Sequence, residues 1–113
     1  MIAQAKGRYF RVSPSKLRMI LDLIRGQKVP AAVTALAYLN KPTKEKIEKV
    51  LNSAIANARL KGFTEDQLVV SKAIADQGPV WKRFRAATMG RATEILKKTS
   101  HITIELDIKV NKG

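Results

Sequence analysis

The chain has 113 residues, no cysteine, one histidine, and 22 lysines and arginines against nine acids, a formal charge of +13. That length suits one domain with one core, and the absence of thiols excludes both a disulfide framework and a thiolate metal site. The charge excess calls for a polyanionic partner. No run approaches the roughly 20 apolar residues of a membrane span, and Met1 to Gly7 lacks the apolar stretch of a signal peptide, so a soluble intracellular protein is expected.

Residues 2 to 12 place Arg8 and Arg11 around Tyr9, Phe10 and Val12, a β-favouring run that predicts a strand. Ser13 is a good N-cap and Pro14 suits a first helical turn. Leu17, Ile20, Leu21 and Ile24 then recur at i, i+3, i+4 and i+7, and Gly26 supplies the stop. Lys16, Arg18 and Arg25 fall off that apolar stripe, giving a cationic face near Arg8 and Arg11. A second helix is expected from Pro30 to about Leu39, with Val33, Leu36 and Ala37 on its inner side and alanines that suggest close packing. After Pro42, Thr43 can cap a third helix in which Ile47, Val50, Leu51, Ala54 and Ala58 mark one face up to about Leu60, before Gly62. Its face with Asn52, Ser53 and Asn57 is polar and uncharged, suited either to a backbone partner or to a nucleic acid.

Residues 68 to 75 predict a strand. Ile102, Ile104, Leu106, Ile108 and Val110 alternate with Thr103, Glu105, Asp107 and Lys109, the pattern of a half-buried strand. The expected fold is α+β, a single domain over 1–113: three helices packed on one face of a three-stranded antiparallel sheet, with a long protruding β-hairpin. The body would be 1–77 and 102–113, and the arm 78–101.

The arm stands out by what it lacks. Between Pro79 and His101 the bulky apolar residues are Val80, Trp81, Phe84, Met89, Ile95 and Leu96, while Lys82, Arg83, Arg85, Arg91, Lys97 and Lys98 face a single acid, Glu94. Such a segment cannot offset its own ordering entropy by burial, so an anionic partner is expected to order it. With a turn near Thr88 to Gly90, limbs of about ten residues at roughly 3.3 Å per residue would reach on the order of 30 Å.

Catalysis has no constellation to work with. His101 is the one histidine, there is no thiol and the nine carboxylates are scattered; after Thr99-Ser100 it could shuttle a proton, but a lone histidine at the base of a basic arm more often bonds a neighbour or a phosphate, and the glycine spacings match neither a P-loop nor a dinucleotide fingerprint. No enzyme activity, cofactor or metal is expected. The cations are spread over a strand, a helix and an arm and do not line one face of an amphipathic helix, which argues against a membrane surface and leaves nucleic acid.

Several stretches together resemble one family. Arg11-Val12-Ser13-Pro14, Lys16-Leu17-Arg18, Leu23-Ile24-Arg25-Gly26, Val50-Leu51-Asn52-Ser53-Ala54 and Ala56-Asn57-Ala58 are similar to the family of large-subunit ribosomal protein twenty-two. The same holds for Gly78-Pro79, Lys82-Arg83-Phe84-Arg85, Met89-Gly90-Arg91-Ala92 and Lys98-Thr99-Ser100-His101-Ile102. The resemblance implies an α+β body on the outside of the large subunit and a hairpin that runs through ribosomal RNA to the wall of the peptide exit tunnel. It implies ribosomal RNA, neighbouring ribosomal proteins and the nascent peptide as partners. It also implies no homo-oligomer, and a place in a bacterial-type ribosome in the cytoplasm or an organelle. Carried over residue by residue, the RNA-binding candidates are Arg8, Arg11, Ser13, Lys16, Arg18, Arg25, Lys28, Asn57, Lys82, Arg83, Arg85, Arg91, Lys97, Lys98, Thr99, Ser100 and His101. The tunnel tip is Ala86, Ala87, Thr88, Met89, Gly90 and Arg91. Ala86-Ala87 stands where the family usually has Pro-Arg, which lowers the charge of the tip. The competing class is a DNA-bending architectural protein with a basic β-arm, which would be expected to dimerise.

Overall fold

A computed structural model of the chain describes residues 2–78, 81–86, 92–97 and 99–108, with 81–86 and 92–97 described as backbone. The order is β1 (Ala3–Phe10), α1 (Pro14–Ile24), α2 (Val29–Tyr38), α3 (Lys44–Leu60), a 3₁₀ turn (Glu65–Gln67), β2 (Leu68–Gln77), β3 (Trp81–Ala86), β4 (Ala92–Lys97) and β5 (Ser100–Ile108). The 3₁₀ turn was not expected from the sequence; the Gln67 side chain reaches back to accept the Thr64 N–H at 3.0 Å. The helices end close to the expected glycines, with Gly26 at φ +80° and Gly62 at φ +89°.

β5 is the middle strand of an antiparallel sheet of order β1-β5-β2. Its alternation resolves cleanly, because Ser100, Ile102, Ile104 and Leu106 are all fully buried while His101, Thr103, Glu105 and Asp107 are half-buried on the other face. All three helices lie over the inner face. α1 contributes Leu17, Ile20, Leu21 and Ile24, and α3 contributes Ile47, Val50, Leu51, Ala54, Ile55 and Ala58. In α2 the inner residues are Val29, Ala32 and Leu36, spaced i, i+3 and i+7, whereas Ala37 is exposed and Val33 is only half-buried. The expected α2 face was therefore rotated: in an alanine-rich helix the apolar pattern is nearly uniform, and the neighbours choose the face.

The inner residues of β1 are small because α3 passes close above them. A Cβ added to Gly7 would fall 2.7 Å from Val50 Cγ2 and 2.3 Å from Phe10 Cε2. The alternation Ala3, Ala5, Gly7 would turn Tyr9 inward next. Instead a bulge between Gly7 and Phe10 shifts the phase, so that Phe10 pairs with Ser100 and packs against the core, while Tyr9 stands 56% exposed. Tyr9 adopts φ 61° to achieve this, a left-handed conformation that costs a bulky residue on the order of 1–3 kcal/mol.

β3 and β4 form their own antiparallel ladder, from Trp81 opposite Lys97 to Ala86 opposite Ala92. The pairing is centred on position 89, and the expected turn at Thr88 to Gly90 lies outside the described residues. Ser100 and His101, expected in the arm, belong to β5, where they pair with Gln77 and Asp76. The molecule measures 68 Å along its long axis against 26 and 21 Å across, and its radius of gyration of 17.5 Å exceeds the roughly 13 Å of a compact chain this long.

Ile104→Ala, at the centre of the sheet, is expected to lower the free energy of urea-induced unfolding by about 2–5 kcal/mol. Ala37→Ser, on the exposed side of α2, is expected to stay within about 0.5 kcal/mol of wild type. A large loss at Ala37 would return α2 to the face expected from the sequence.

Candidate nucleic-acid interface

The root of the hairpin is tied into the body by short-range polar contacts. The Gly78 N–H donates to the Thr99 carbonyl at 2.9 Å, and the Ser100 hydroxyl donates to the Val12 carbonyl. Gly78 has no room for a side chain, since an added Cβ would lie 2.5 Å from Thr99 Oγ1 and 3.2 Å from the His101 ring. Thr99 and Ser100 are thus buried, at 3% and 0% exposure, and their side chains face the body at the point where the hairpin leaves it. They were candidates for RNA contact; in the folded chain the Ser100 hydroxyl is taken by a backbone carbonyl.

The same contacts bring the end of β1 and the start of α1 beside that root. Arg8, Arg11 and Lys16 are exposed there, and their side chains make no hydrogen bond or ion pair among the described residues. Ser13 is half-buried, with its hydroxyl 3.3 Å from that of Ser15. His101 accepts a hydrogen bond at Nδ1 from the Tyr9 N–H at 3.1 Å, and the two rings meet edge to face with centroids 4.9 Å apart. Lys28 is exposed but sits at the other end of β2, bridged to Val69.

Arg18 and Arg25 have a different first duty. β2 is an edge strand, and its outward carbonyls are capped in sequence by α1 and the segment after it. Arg18 Nη2 donates to the Ala75 carbonyl at 3.0 Å, and Arg25 Nε donates to the Ala73 carbonyl at 3.2 Å, with Nη2 on the same oxygen. Val70 exchanges bonds with the Gly26 N–H at 2.8 Å and the Gln27 carbonyl at 2.9 Å. Arg25 also pairs with the exposed Asp22. The opposite edge is treated alike: Asn57 Nδ2 donates to the Gln4 carbonyl at 2.8 Å, and Lys61 Nζ donates to that of Ile2. Of the two roles left open for Asn57, the folded chain uses the backbone one. Gln4 pairs with Glu105, five residues along β5 from Ser100, so Asn57 lies about 17 Å from the root. The candidate set is therefore split, with Arg8, Arg11, Lys16, Arg18 and His101 near the root and Arg25, Lys28 and Asn57 away from it.

Lys82, Arg83 and Arg85 lie on β3 and Lys97 on β4, with Lys82 opposite Leu96, Arg83 opposite Ile95 and Arg85 opposite Thr93. Ala86 closes the described ladder. Lys98, Arg91 and the tip residues Ala87, Thr88, Met89 and Gly90 lie outside the described residues.

Two groups of residues were missed. Lys6 continues the outward alternation of β1 and lines a concavity of about 330 Å³ with Arg8, Tyr9, Asp76, His101 and Thr103. Lys46 and Lys49 line a second groove of about 460 Å³ with Phe10, Glu45, Glu48 and Asn52, where Lys46 Nζ stands 5.8 Å from the Phe10 ring centre. The i, i+3 spacing of the two lysines was a usable signal; the approach of β1 to α3 was not visible. Among the described residues no three histidines or carboxylates gather to hold a metal, and no helix is long and apolar enough to cross a membrane.

Residues 5–107 match the model of the family described as ribosomal protein L22p/L17e. The chain belongs to that family. Proteins named large ribosomal subunit protein uL22 are similar over almost their full length. The one from Desulfatibacillum aliphaticivorans is 45% identical over 95% of this chain and 99% of its own. That from Halothermothrix orenii is 49% identical over 96% and 97%, and that from Staphylococcus aureus strain JH9 is 49% identical over 92% and 90%. The L22p/L17e chain is accordingly a structural ribosomal protein and not an enzyme.

If Arg18 and Arg25 chiefly cap β2, the double variant Arg18→Ala with Arg25→Ala should lose roughly 1–3 kcal/mol of stability in the absence of any nucleic acid, because charged donors leave partly buried carbonyls. Urea unfolding of the free protein measures this. Stability unchanged from wild type would return both arginines to a purely solvent-facing role.

Proposed function

We propose that this chain is a component of the large ribosomal subunit that binds ribosomal RNA and supports subunit assembly, with a body that includes β5 from Ser100 onward and an arm of 78–99 whose tip lines the peptide exit tunnel. The observation that carries this reading is the placement of the cations. Lys82, Arg83, Arg85 and Lys97 sit on a two-stranded ladder whose sequence is poor in apolar residues, rooted beside the exposed Arg8, Arg11 and Lys16. An isolated two-stranded hairpin is marginal in water, so an arm of this kind is best understood as ordered by what surrounds it. Phosphates on either side of the limbs supply the counter-charge. The names of the relatives, which place those proteins in the large subunit, support the same partner. Neighbouring ribosomal proteins and the nascent peptide at the tip complete the partners. The covered edges of the sheet leave little for edge-to-edge pairing, which supports a single copy acting without self-association. The setting is the ribosome of a bacterial-type cytoplasm.

Phosphate neutralisation makes affinity salt-dependent. If about 6 to 10 phosphates are engaged, raising salt from about 50 to 200 mM should weaken binding to a ribosomal RNA fragment roughly 10³- to 10⁵-fold. Arg8→Ala with Arg11→Ala should reduce the slope of log affinity against log salt by about 2, at roughly 0.9 per phosphate in a duplex. Arg18→Ala with Arg25→Ala should reduce it by less than about 1. A nearly flat salt dependence of the wild type would point to a different partner.

Anchoring and tip function should separate. Lys82→Ala with Arg83→Ala is expected to lower incorporation into large subunits, whereas deletion of Ala87, Thr88 and Met89 should leave incorporation near normal and change the chemical reactivity of tunnel RNA. Quantifying the protein retained in assembled subunits checks both. The opposite pattern, with the tip deletion excluded and the limb variant retained, would mean that charge does not seat the arm.

A further inference from the structure

We infer that the bulge in β1 is a seat for one unpaired RNA base, which stacks on Tyr9 while Lys6 and Arg8 hold the flanking phosphates. This rests on the RNA-binding reading above and adds to it a specific site on the body, distinct from the arm.

Four observations converge on Tyr9. Its backbone is held at φ 61°, a conformation that bulky residues rarely adopt and that tends to be kept where a side chain must be aimed. The consequence of the bulge is that Arg8 and Tyr9, successive residues, both point away from the core, and an aromatic ring is left 56% exposed. The ring is not loose. The Tyr9 backbone N–H donates to His101 Nδ1 at 3.1 Å, and the phenol and imidazole planes stand nearly perpendicular, at 89°. An edge contact leaves a face of the phenol ring for stacking. Finally, Tyr9 stands at the rim of the concavity of about 330 Å³ that also carries Lys6, Arg8, Asp76, His101 and Thr103. Its volume lies at the low end of small-ligand clefts, enough for a base and too small for a duplex.

The chemistry of the lining fits a nucleotide in an unpaired stretch. Since the imidazole Nδ1 accepts from Tyr9, the proton of neutral His101 is on Nε2, which is a donor, and the Thr103 hydroxyl can donate or accept. Asp76, opposite His101 in the ladder, is an acceptor for a base amino group and repels a phosphate, so the phosphates should lie on the Lys6 and Arg8 side. Lys6 and Arg8 are exposed, and their side chains make no hydrogen bond or ion pair among the described residues. Aromatic stacking of splayed bases beside cations is the general way proteins take hold of unpaired RNA.

A simpler alternative is that the bulge exists only to turn Phe10 inward. The two readings part at Tyr9→Asn, because asparagine tolerates the left-handed conformation better than tyrosine and so preserves or raises stability while removing the ring. The probe is an RNA hairpin carrying a single bulged 2-aminopurine, compared with the same hairpin fully paired, each titrated with the full chain at fixed salt. Wild type should prefer the bulged RNA by about 5- to 100-fold and quench the 2-aminopurine, in line with base stacking on an aromatic side chain. Tyr9→Phe should keep that preference, and Tyr9→Asn should lose it to within about twofold with a melting temperature no lower than wild type. Retention of the preference by Tyr9→Asn, or wild-type binding of both RNAs with equal, salt-dependent affinity, overturns the seat and leaves the RNA-binding reading intact. Failure of wild type to bind either RNA overturns both.

Discussion

Burial of one face of β5 is the constraint on which the other layers depend. Ser100, Ile102, Ile104 and Leu106 have no exposed surface, and the strand that carries them pairs with β1 on one side and β2 on the other. Both α1 and α3 pack over that face. β4 precedes β5 in the chain, so the hairpin leaves the molecule next to its most buried strand. The polar ties at Gly78, Thr99, Ser100 and Val12 concentrate at this exit, where the sheet ends and the ladder of β3 and β4 takes over.

A sheet with only three strands has two edges, and both are met by side chains and backbone of α1, α3 and the residues that follow them. The cations that do this are the ones a charge count assigns to a nucleic acid. Arg18 and Arg25 spend guanidinium donors on the carbonyls of Ala75 and Ala73, which arginine's rigid fork permits while other donors stay outward. Edge carbonyls left bare would offer a template for pairing with another chain. In a protein with a formal charge of +13, part of the positive charge thus covers the edges of the body's own sheet, and the part beside the root faces outward.

The bulge in β1 shows how a close approach sets an exposed feature. α3 comes near enough to β1 that only Ala3, Ala5 and Gly7 fit beneath it, and Gly7 in turn makes room for the Phe10 ring. Seating Phe10 inward forces a change of phase, and the change of phase puts Tyr9 outward next to Arg8. Packing on one side of the sheet therefore decides which aromatic is presented on the other.

Much of this was readable from local pattern. The stripe of Leu17, Ile20, Leu21 and Ile24, the alternation of β5, the helix stops near Gly26 and Gly62, and the apolar poverty of the arm are properties of neighbouring residues, which periodicity and backbone preference report directly. The family resemblance was carried by contiguous stretches as well. What only the folded chain decided involves partners far apart in sequence. Arg18 meets Ala75 across 57 positions, Arg25 meets Ala73 across 48, and Asn57 meets Gln4 across 53. No local rule distinguishes an arginine that caps a distant carbonyl from one that waits for a phosphate, nor a Ser100 that bonds Val12 from one that faces solvent. The inner face of α2 and the choice between Tyr9 and Phe10 were undetermined for the same reason: adjacent residues were equally suited to burial, and the shape of the opposing surface made the selection.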